Sequence, residues 1–284
     1  MRFFIVNYYN MLTASIVVYK TTEIELKTIV DCALKSPLHT IYIVDNSPSN
    51  KSKAVIDCYQ SPQLLYIYGH GNIGYGAGHN IAIKKSIELG ATYHIILNPD
   101  IIFHTDAITA LTQFMDQHPQ VGAVMPNIIY PDGKNQRLCK LLPTPFDIFA
   151  RRLLPRSLTT KRNERYEMHF MGYDKPWNCP NLSGCFMFLR TDILKQIGGF
   201  DDRFFMYFED TDLIRRIHQV SITAFYPNAT IVHAHKAEHR TSKTLLKISL
   251  ESAIKYFNKY GWLFDKERRM FNKRAQYDDA HIVG

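Results

Sequence analysis

Residues 69–80 read GHGNIGYGAGHN, and the identity of this glycine-rich run decides what kind of fold surrounds it. Gly69, Gly71 and Gly74 have the G-x-G-x-x-G spacing and stand between an apolar run, residues 64–68, and a helical pattern, residues 77–89. In a dinucleotide-binding fold such a run belongs to the first strand–helix unit, with an acid closing the next strand. Here it lies outside the first unit, and the first acid downstream, Glu88, falls within the helical pattern. Two other readings stand beside that one. The run is a flexible turn that starts a helix, or it is a loop pressed against a nucleotide. In the second case Asn72, Gly74, Gly76 and Asn80 line it, missing side chains permit close approach, and backbone amides supply contacts.

Outward from the loop, short apolar runs rich in β-branched residues mark strands at 15–19 (SIVVY), 41–44, 64–68 and 95–97. Helical patterns separate them at 24–34, 52–59 and 77–89, and Thr22 with Glu25 has the capping-box spacing. This alternation predicts an α/β fold with a mostly parallel central sheet flanked by helices, whose ligands bind beyond the carboxyl ends of the strands. At those ends stand Asp45-Asn46, the glycine loop and Asn98-Pro99-Asp100. Asp45 alone reads as a turn residue, but three polar loops on one edge read as a site. Farther on, Thr105 is expected to cap a helix through Met115. Strands are expected at 121–125, 185–189, 222–226 and 230–232, a short helix at 192–196, and helix again over 245–271. Residues 126–177, basic and proline-bearing, are the least readable stretch and leave room for a mobile loop.

A second organising stretch is GGFDDRFFMYFEDTDLIRR, residues 198–216, where two glycines and an aromatic run deliver Glu209, Asp210 and Asp212 to the first turn of a helix. Acids there cap a helix and oppose its dipole, and Asp212 with Arg216, one turn on, suits that role. Asp210 admits a second role. Phe204, Phe205, Tyr207 and Phe208 precede it, and their bulk would desolvate a carboxylate and raise its pKa, as a general base requires.

Composition sets the outer limits. With 284 residues, 46% of them hydrophobic, the chain has enough apolar material for a substantial core. It has no uncharged apolar run of about 18 residues, and its opening MRFFIVNYYN lacks the plan of a signal peptide, so a cytoplasmic location is expected, with Met11 as an alternative start. Five cysteines without a C-x-x-C pair argue against a disulfide framework and against structural zinc. The net charge of +8 concentrates at residues 134–165 and 236–274. By charge alone, nucleic acid, anionic lipid or a phosphorylated small molecule would suit. The C-terminal stretch sets Leu246, Leu250, Ile254, Phe257, Trp262 and Phe264 among basic residues, which suits either an interfacial helix on an anionic membrane or a helix packed on the main domain.

Taken in order, SIVVY, VDNS, GNIGYGAGHN, LNPDI, LSGCFMFLR, GGFDDRFFMYFEDTDLIRR and IVHAH resemble the family-2 glycosyltransferases of GT-A fold, and within them the bacterial rhamnosyltransferase-like enzymes of surface-polysaccharide and O-antigen assembly. The likeness runs from about residue 13 to 240. It implies a GT-A domain over residues 1–240, with a nucleotide-binding half at about 13–100 and an acceptor half at about 101–240, followed by a helical extension, residues 241–284. It further implies a dTDP- or UDP-sugar donor, a saccharide or lipid-linked saccharide acceptor, and no nucleic acid. The base would sit near Val17, Tyr19 and Asp45, the last accepting the ring N3–H of uracil or thymine, with Asn72, Gly74, Asn80 and Asn98 also on the donor side. The family's D-x-D motif corresponds to Asn98-Pro99-Asp100. Only Asp100 is therefore carried over as an acidic ligand of a divalent metal, Mg²⁺ or Mn²⁺. His233 looks like the second metal or diphosphate contact, with His235 as a lesser candidate and a satisfied strand-end histidine as the plain alternative. Asp210 matches the general base with Glu209 beside it, and Gly184 and Asp201 look like neighbours of the acceptor sugar.

Such a transfer needs the charge of a leaving diphosphate neutralised and an acceptor hydroxyl deprotonated; one metal and one base suffice for single displacement with inversion. A glycoside hydrolase needs two carboxyls flanking the bond, which the adjacent Glu209 and Asp210 are poorly placed to provide. Two alternatives from other classes remain at this point: a non-catalytic nucleotide- or carbohydrate-binding module, favoured by the asparagine at 98, and a dinucleotide-dependent oxidoreductase.

Overall fold

The computed structural model describes residues 10–150, 156–234 and 242–276, so His235 lies outside the described residues. Among those described, nine strands form one sheet: β1 Leu12–Val18, β2 Thr40–Asp45, β3 Leu64–Ile67, β4 Tyr93–Leu97, β5 Ile101–Ile102, β6 Val121–Ile129, β7 Trp177–Asn178, β8 Phe186–Arg190 and β9 Ile222–His233. Their order is β3-β2-β1-β4-β8-β6-β9-β5, with β7 also on β9. The β1–β2, β1–β4, β2–β3 and β6–β9 pairs are parallel, and β8 enters antiparallel between β4 and β6. Every residue of β1, β2 and β4 is buried. Strands covered on both faces read as continuous apolar runs, which is why the sequence marks them clearly.

The helices are α1 Glu23–Leu34, α2 Lys51–Asp57, α3 Tyr75–Glu88, α4 Thr105–Gln117, α5 Arg156–Tyr166, α6 Thr191–Ile197, α7 Glu209–Val220, α8 Lys243–Tyr260 and α9 Lys266–Arg274. The Thr22–Glu25 capping box is formed as expected. Thr105 does not cap α4: His104 holds that position without a side-chain bond, while the Thr105 hydroxyl donates to the Lys35 carbonyl at 2.7 Å, tying α4 to the end of α1. The two strands expected at 222–226 and 230–232 are one strand, β9, whose register against β6 shifts at Pro126. Residues 126–177 carry more structure than a loop: the end of β6, a π-helical turn Phe146–Ala150, α5 and β7. The C-terminal helix is broken at Gly261, whose φ of +101° suits glycine and turns the chain into α9.

A polar network is sealed between β1, β4 and α3. The Ser15 hydroxyl lies 2.7 Å from His79 Nδ1 and 2.8 Å from His94 Nε2, and Thr13 and Ser86 each lie 2.9 Å from His94 Nδ1. All five residues are fully buried. Burial disfavours the charged imidazoles, lowering His94 to about 3 and His79 well below its ordinary value.

Candidate active site

The three loops do meet on one edge, and their first contacts are with each other. Asp45, at the end of β2, is fully buried, with Oδ2 accepting from the Tyr66 hydroxyl at 2.6 Å and Oδ1 from the Ser47 N–H at 2.8 Å. Burial, with Asp45 beside it, pushes the Tyr66 phenol above its usual range, so it remains a donor. Each Asp45 oxygen retains a second acceptor direction. Tyr19 stands half exposed near this edge, while the Val17 side chain is buried against α3. Asn46 ties this loop to the next: its amide donates to the Gly74 carbonyl at 2.9 Å, and its Oδ1 lies 2.8 Å from His70 Nε2.

The glycine loop explains its own composition. Gly74 has φ +93°, and a Cβ there would collide with the Phe205 carbonyl oxygen, to which the Tyr75 N–H donates at 2.9 Å. A Cβ at Gly76 would stand 2.8 Å from that of Phe200, and one at Gly78 would stand 3.0 Å from Val17. The close approach that the sequence anticipates for a nucleotide is therefore made at these positions by the chain itself. Asn80 acts in the same interface. Its amide nitrogen donates to the Phe200 carbonyl and to Asp202 Oδ1, both at 2.8 Å, and its oxygen accepts the Phe200 N–H at 2.7 Å. Asn72 is exposed, its oxygen 3.3 Å from the Gly74 N–H. The two organising stretches of the sequence are thus two sides of one contact.

At the centre stands Tyr75. Its hydroxyl lies 2.9 Å from Asn98 Oδ1 and 2.7 Å from the Gly184 carbonyl oxygen, and the Gly184 N–H donates to Asp210 Oδ2 at 3.0 Å. Burial first, then the acids Glu209, Asp210 and Asp100 among its neighbours, push this phenol well above its ordinary value, so it too stays a donor. Sequence reasoning missed Tyr75; the signal was an aromatic residue held between glycines. The backbone leading to the acids is strained, with Tyr207 at φ +67° and Phe208 at φ +66°. Phe208 is held by packing on Tyr256 and Phe257 of α8, at centroid distances of 5.5 and 6.4 Å.

The burial expected at Asp210 is found one residue earlier. Glu209 is buried, its Oε2 has no hydrogen-bond partner, and desolvation, with the charge of Asp210 second, pushes its carboxyl well above the usual range. Asp210 is partly exposed, and its Oδ1 accepts the Thr211 N–H at 2.7 Å. Asp212 takes the structural role expected of it, pairing with Arg216 at 2.8 Å, and it also accepts from Lys259 at 2.5 Å and Tyr260 at 2.8 Å. Asp201 pairs with Arg203 at 2.5 Å and with Lys259 at 2.7 Å, and these partners hold its carboxyl below the ordinary range. Its carboxylate thus faces cations of the chain itself.

At the other end of the edge, the two-residue β5 pairs Ile101 with His233 and brings Asp100 Oδ1 to 3.3 Å from His233 Nε2. Gln136 orients this imidazole, its Oε1 lying 3.0 Å from His233 Nδ1 while its amide donates to the His233 carbonyl at 2.7 Å. Burial alone would lower the His233 pKa, but Asp100 and Cys185 outweigh it and push it up to about 10. Once the Nε2 proton is displaced, a carboxylate oxygen and that nitrogen, with Nδ1 fixed by a neighbour, form a donor pair that suits Mn²⁺ or Mg²⁺ when diphosphate and water complete the shell. Among the described residues no group of three His, Cys, Asp or Glu comes together.

The sequence matches the description Glycosyl transferase family 2 over residues 14–198, well over half of the chain; Asp210 and His233 lie beyond the matched span. It is 29% identical over 228 residues to an N-acetylglucosaminyl-diphospho-decaprenol L-rhamnosyltransferase of Mycobacterium tuberculosis, covering 74% of this chain and 70% of that one. In fold it is similar to GalNAc-T7, solved with UDP, GalNAc and Mn²⁺, with a TM-score of 0.62 at 12% identity over 97% of this chain and 55% of that one. It is similar also to the mannosyltransferase PcManGT of Pyrobaculum calidifontis, solved with GDP-Man and Mn²⁺, with a TM-score of 0.55 at 13% identity over 96% of this chain and 82% of that one. The sheet is that of the GT-A glycosyltransferases, as the sequence led us to expect, and the chain belongs to glycosyl transferase family 2.

Proposed function

We propose that this glycosyltransferase is an inverting hexosyltransferase that moves L-rhamnose from dTDP-rhamnose to a hydroxyl of a saccharide or lipid-linked saccharide. The observation that carries the reading is the run of contacts from Asn98 through Tyr75 and Gly184 to Asp210. It couples the loop that precedes the Asp100–His233 pair to the candidate base through one side chain and one backbone unit. Asp45 and Tyr19 receive the base of the donor, and Asp100 and His233 would hold a divalent metal. That metal, when bound, supplies charge neutralisation for the leaving group. Asp210, partly exposed at the start of the helix beside the buried Glu209, accepts the proton of the attacking hydroxyl.

The asparagine that suggests a binding-only module has a task here, since Asn98 Oδ1 is an acceptor for Tyr75. The glycines that suggest a dinucleotide fold have one too, against Phe200 and Phe205. A thermal-shift panel of dTDP, UDP and GDP, with and without Mn²⁺, tests the reading together with donor turnover. A bound diphosphate at about 100 times its Kd adds about 2.7 kcal/mol of stability. A metal-dependent shift with dTDP and transfer to a saccharide acceptor are expected. Binding without transfer or donor hydrolysis would establish the binding module instead.

A further inference from the structure

A cleft of about 550 Å³ lies where the C-terminal helices meet the middle of the chain, and the chemistry above does not use it. Arg162, Arg165, Arg269 and Lys273 line it together with Trp262 and Leu263, and no carboxylate does. Its cations are built in. Arg162 donates to Asp147 Oδ1 at 2.7 Å and Thr144 Oγ1 at 3.0 Å while lying 4.1 Å from the Phe146 ring centroid, and Arg165 donates to Gln276 Oε1 at 3.0 Å. Residues 243–276 carry nine lysines and arginines against three carboxylates.

Beside this cleft, the turn after Gly261 exposes two large apolar side chains, Leu263 at 68% and Phe264 at 84% of their surface. Trp262 anchors the turn by packing 5.3 Å from Phe257 and 5.9 Å from Phe149, centroid to centroid. The fold gives Leu263 and Phe264 no such partner role. Adjacent exposed apolar residues beside a cleft that Arg165 and Arg269 line match an anionic bilayer surface, with acyl chains for the apolar tip and headgroup phosphates for the arginines. Of the two readings that the sequence left open for the C-terminal stripe, packing on the main domain holds at Phe257, because Ala253, Tyr256 and Phe257 are buried against Phe204 and Phe208.

We propose that the cleft and the Leu263–Phe264 tip form a docking site for the anionic phospholipid headgroups of a membrane surface. α8, which leads into the Trp262–Phe264 turn, contacts the loop ahead of Glu209 through Ser252 Oγ to the Met206 carbonyl and Lys255 Nζ to the Arg203 carbonyl, both at 2.8 Å. Docking therefore fixes how the acceptor side of the enzyme faces the bilayer. The proposal goes beyond the transferase reading, and its test needs no turnover.

Flotation of the full chain with phosphatidylglycerol–phosphatidylcholine vesicles, against phosphatidylcholine alone, tests it. Binding is expected with the anionic vesicles only and falls with added salt. The double variant Leu263→Ser/Phe264→Ser and the single variant Arg269→Glu, each checked for an unchanged melting temperature, should each weaken partitioning about tenfold or more. The exposed pair tolerates replacement, so the first variant keeps the test valid should the second perturb folding. Equal flotation of both variants and the parent, equal binding to neutral vesicles, or no flotation of the parent would overturn the proposal. Inorganic phosphate that raises the melting temperature while vesicles fail to bind would assign the cleft to a free phosphate ligand and equally overturn the lipid occupant.

Discussion

The backbone N–H of Gly184 donates to Asp210 Oδ2 at 3.0 Å, and a side chain at 184 would place its Cβ 2.9 Å from that of Asp210. The glycine is therefore the socket in which the candidate base is oriented. Asp210→Asn keeps the shape and loses the proton acceptor, so donor binding should persist while turnover falls about 10²- to 10⁴-fold. Gly184→Ala should act on the same step by displacing the carboxylate, with a loss of up to about 10²-fold. Glu209→Gln should fall between Asp210→Asn and the parent. Rates at saturating donor, corrected for folded fraction, give this order; an Asp210→Asn enzyme within a few fold of the parent beside a dead Glu209→Gln would move the base by one residue.

At the opposite end of the site, Asp100→Ala removes the partner that lies 3.3 Å from His233. Transfer should be abolished and the Mn²⁺-dependent part of nucleotide binding lost, with the fold retained because Asp100 lies in the short loop between β4 and β5. Calorimetric titration of dTDP with and without Mn²⁺ reads this directly. A metal-dependent increment that survives in the variant would take Asp100 out of the metal shell.

Asp212 should behave differently from its neighbours, since its carboxylate is fully buried and receives Arg216, Lys259 and Tyr260. Asp212→Asn leaves Arg216 without its carboxylate and Lys259 with Asp201 alone, and losing one partner of a buried pair costs about 3–5 kcal/mol. Because Lys259 and Tyr260 of α8 both reach Asp212, the loss should loosen α8 from α7, with the Lys259–Asp201 pair remaining. Urea unfolding should show the destabilisation, and turnover per folded molecule should fall less than for Asp210→Asn. An unchanged urea midpoint would show that the network adds no stability.

Much of this was legible because parallel strands covered on both faces leave unbroken apolar runs, and because the loops at their carboxyl ends are short and polar. Other features left no periodic signal. Strand β5 is two residues long, yet its pairing brings Asp100 beside His233. Gln136 lies in a stretch without pattern and reaches His233 only through the tertiary fold. Gly74, Gly76 and Gly78 announced a close approach, but composition could not say that Phe205, Phe200 and Val17 make it. Similarly, the aromatic run before Glu209 announced desolvation of a carboxylate, and which acid receives it depends on the left-handed turn at Tyr207 and Phe208.

The sealed histidines give the fold a pH dependence of definite sign. His94, lowered to about 3 by burial, is neutral in the folded protein, whereas in the unfolded chain it titrates near its ordinary value of about 6.5. Between those values the unfolded state binds the extra proton, so stability is fully present above about pH 6.5 and is lost as pH falls towards 3, by up to about 1.4 kcal/mol per pH unit for one such group. His79, in the same network, shifts in the same direction. His94→Gln retains a polar side chain for Ser15, Thr13 and Ser86 but cannot take up a proton. Urea unfolding at a series of pH values from 7 to about 4.5, carried out without metal or nucleotide, should show the parent losing stability more steeply than the variant. Parallel curves would mean that His94 is protonated as readily in the fold as out of it, and that carboxylates alone set the acid limit.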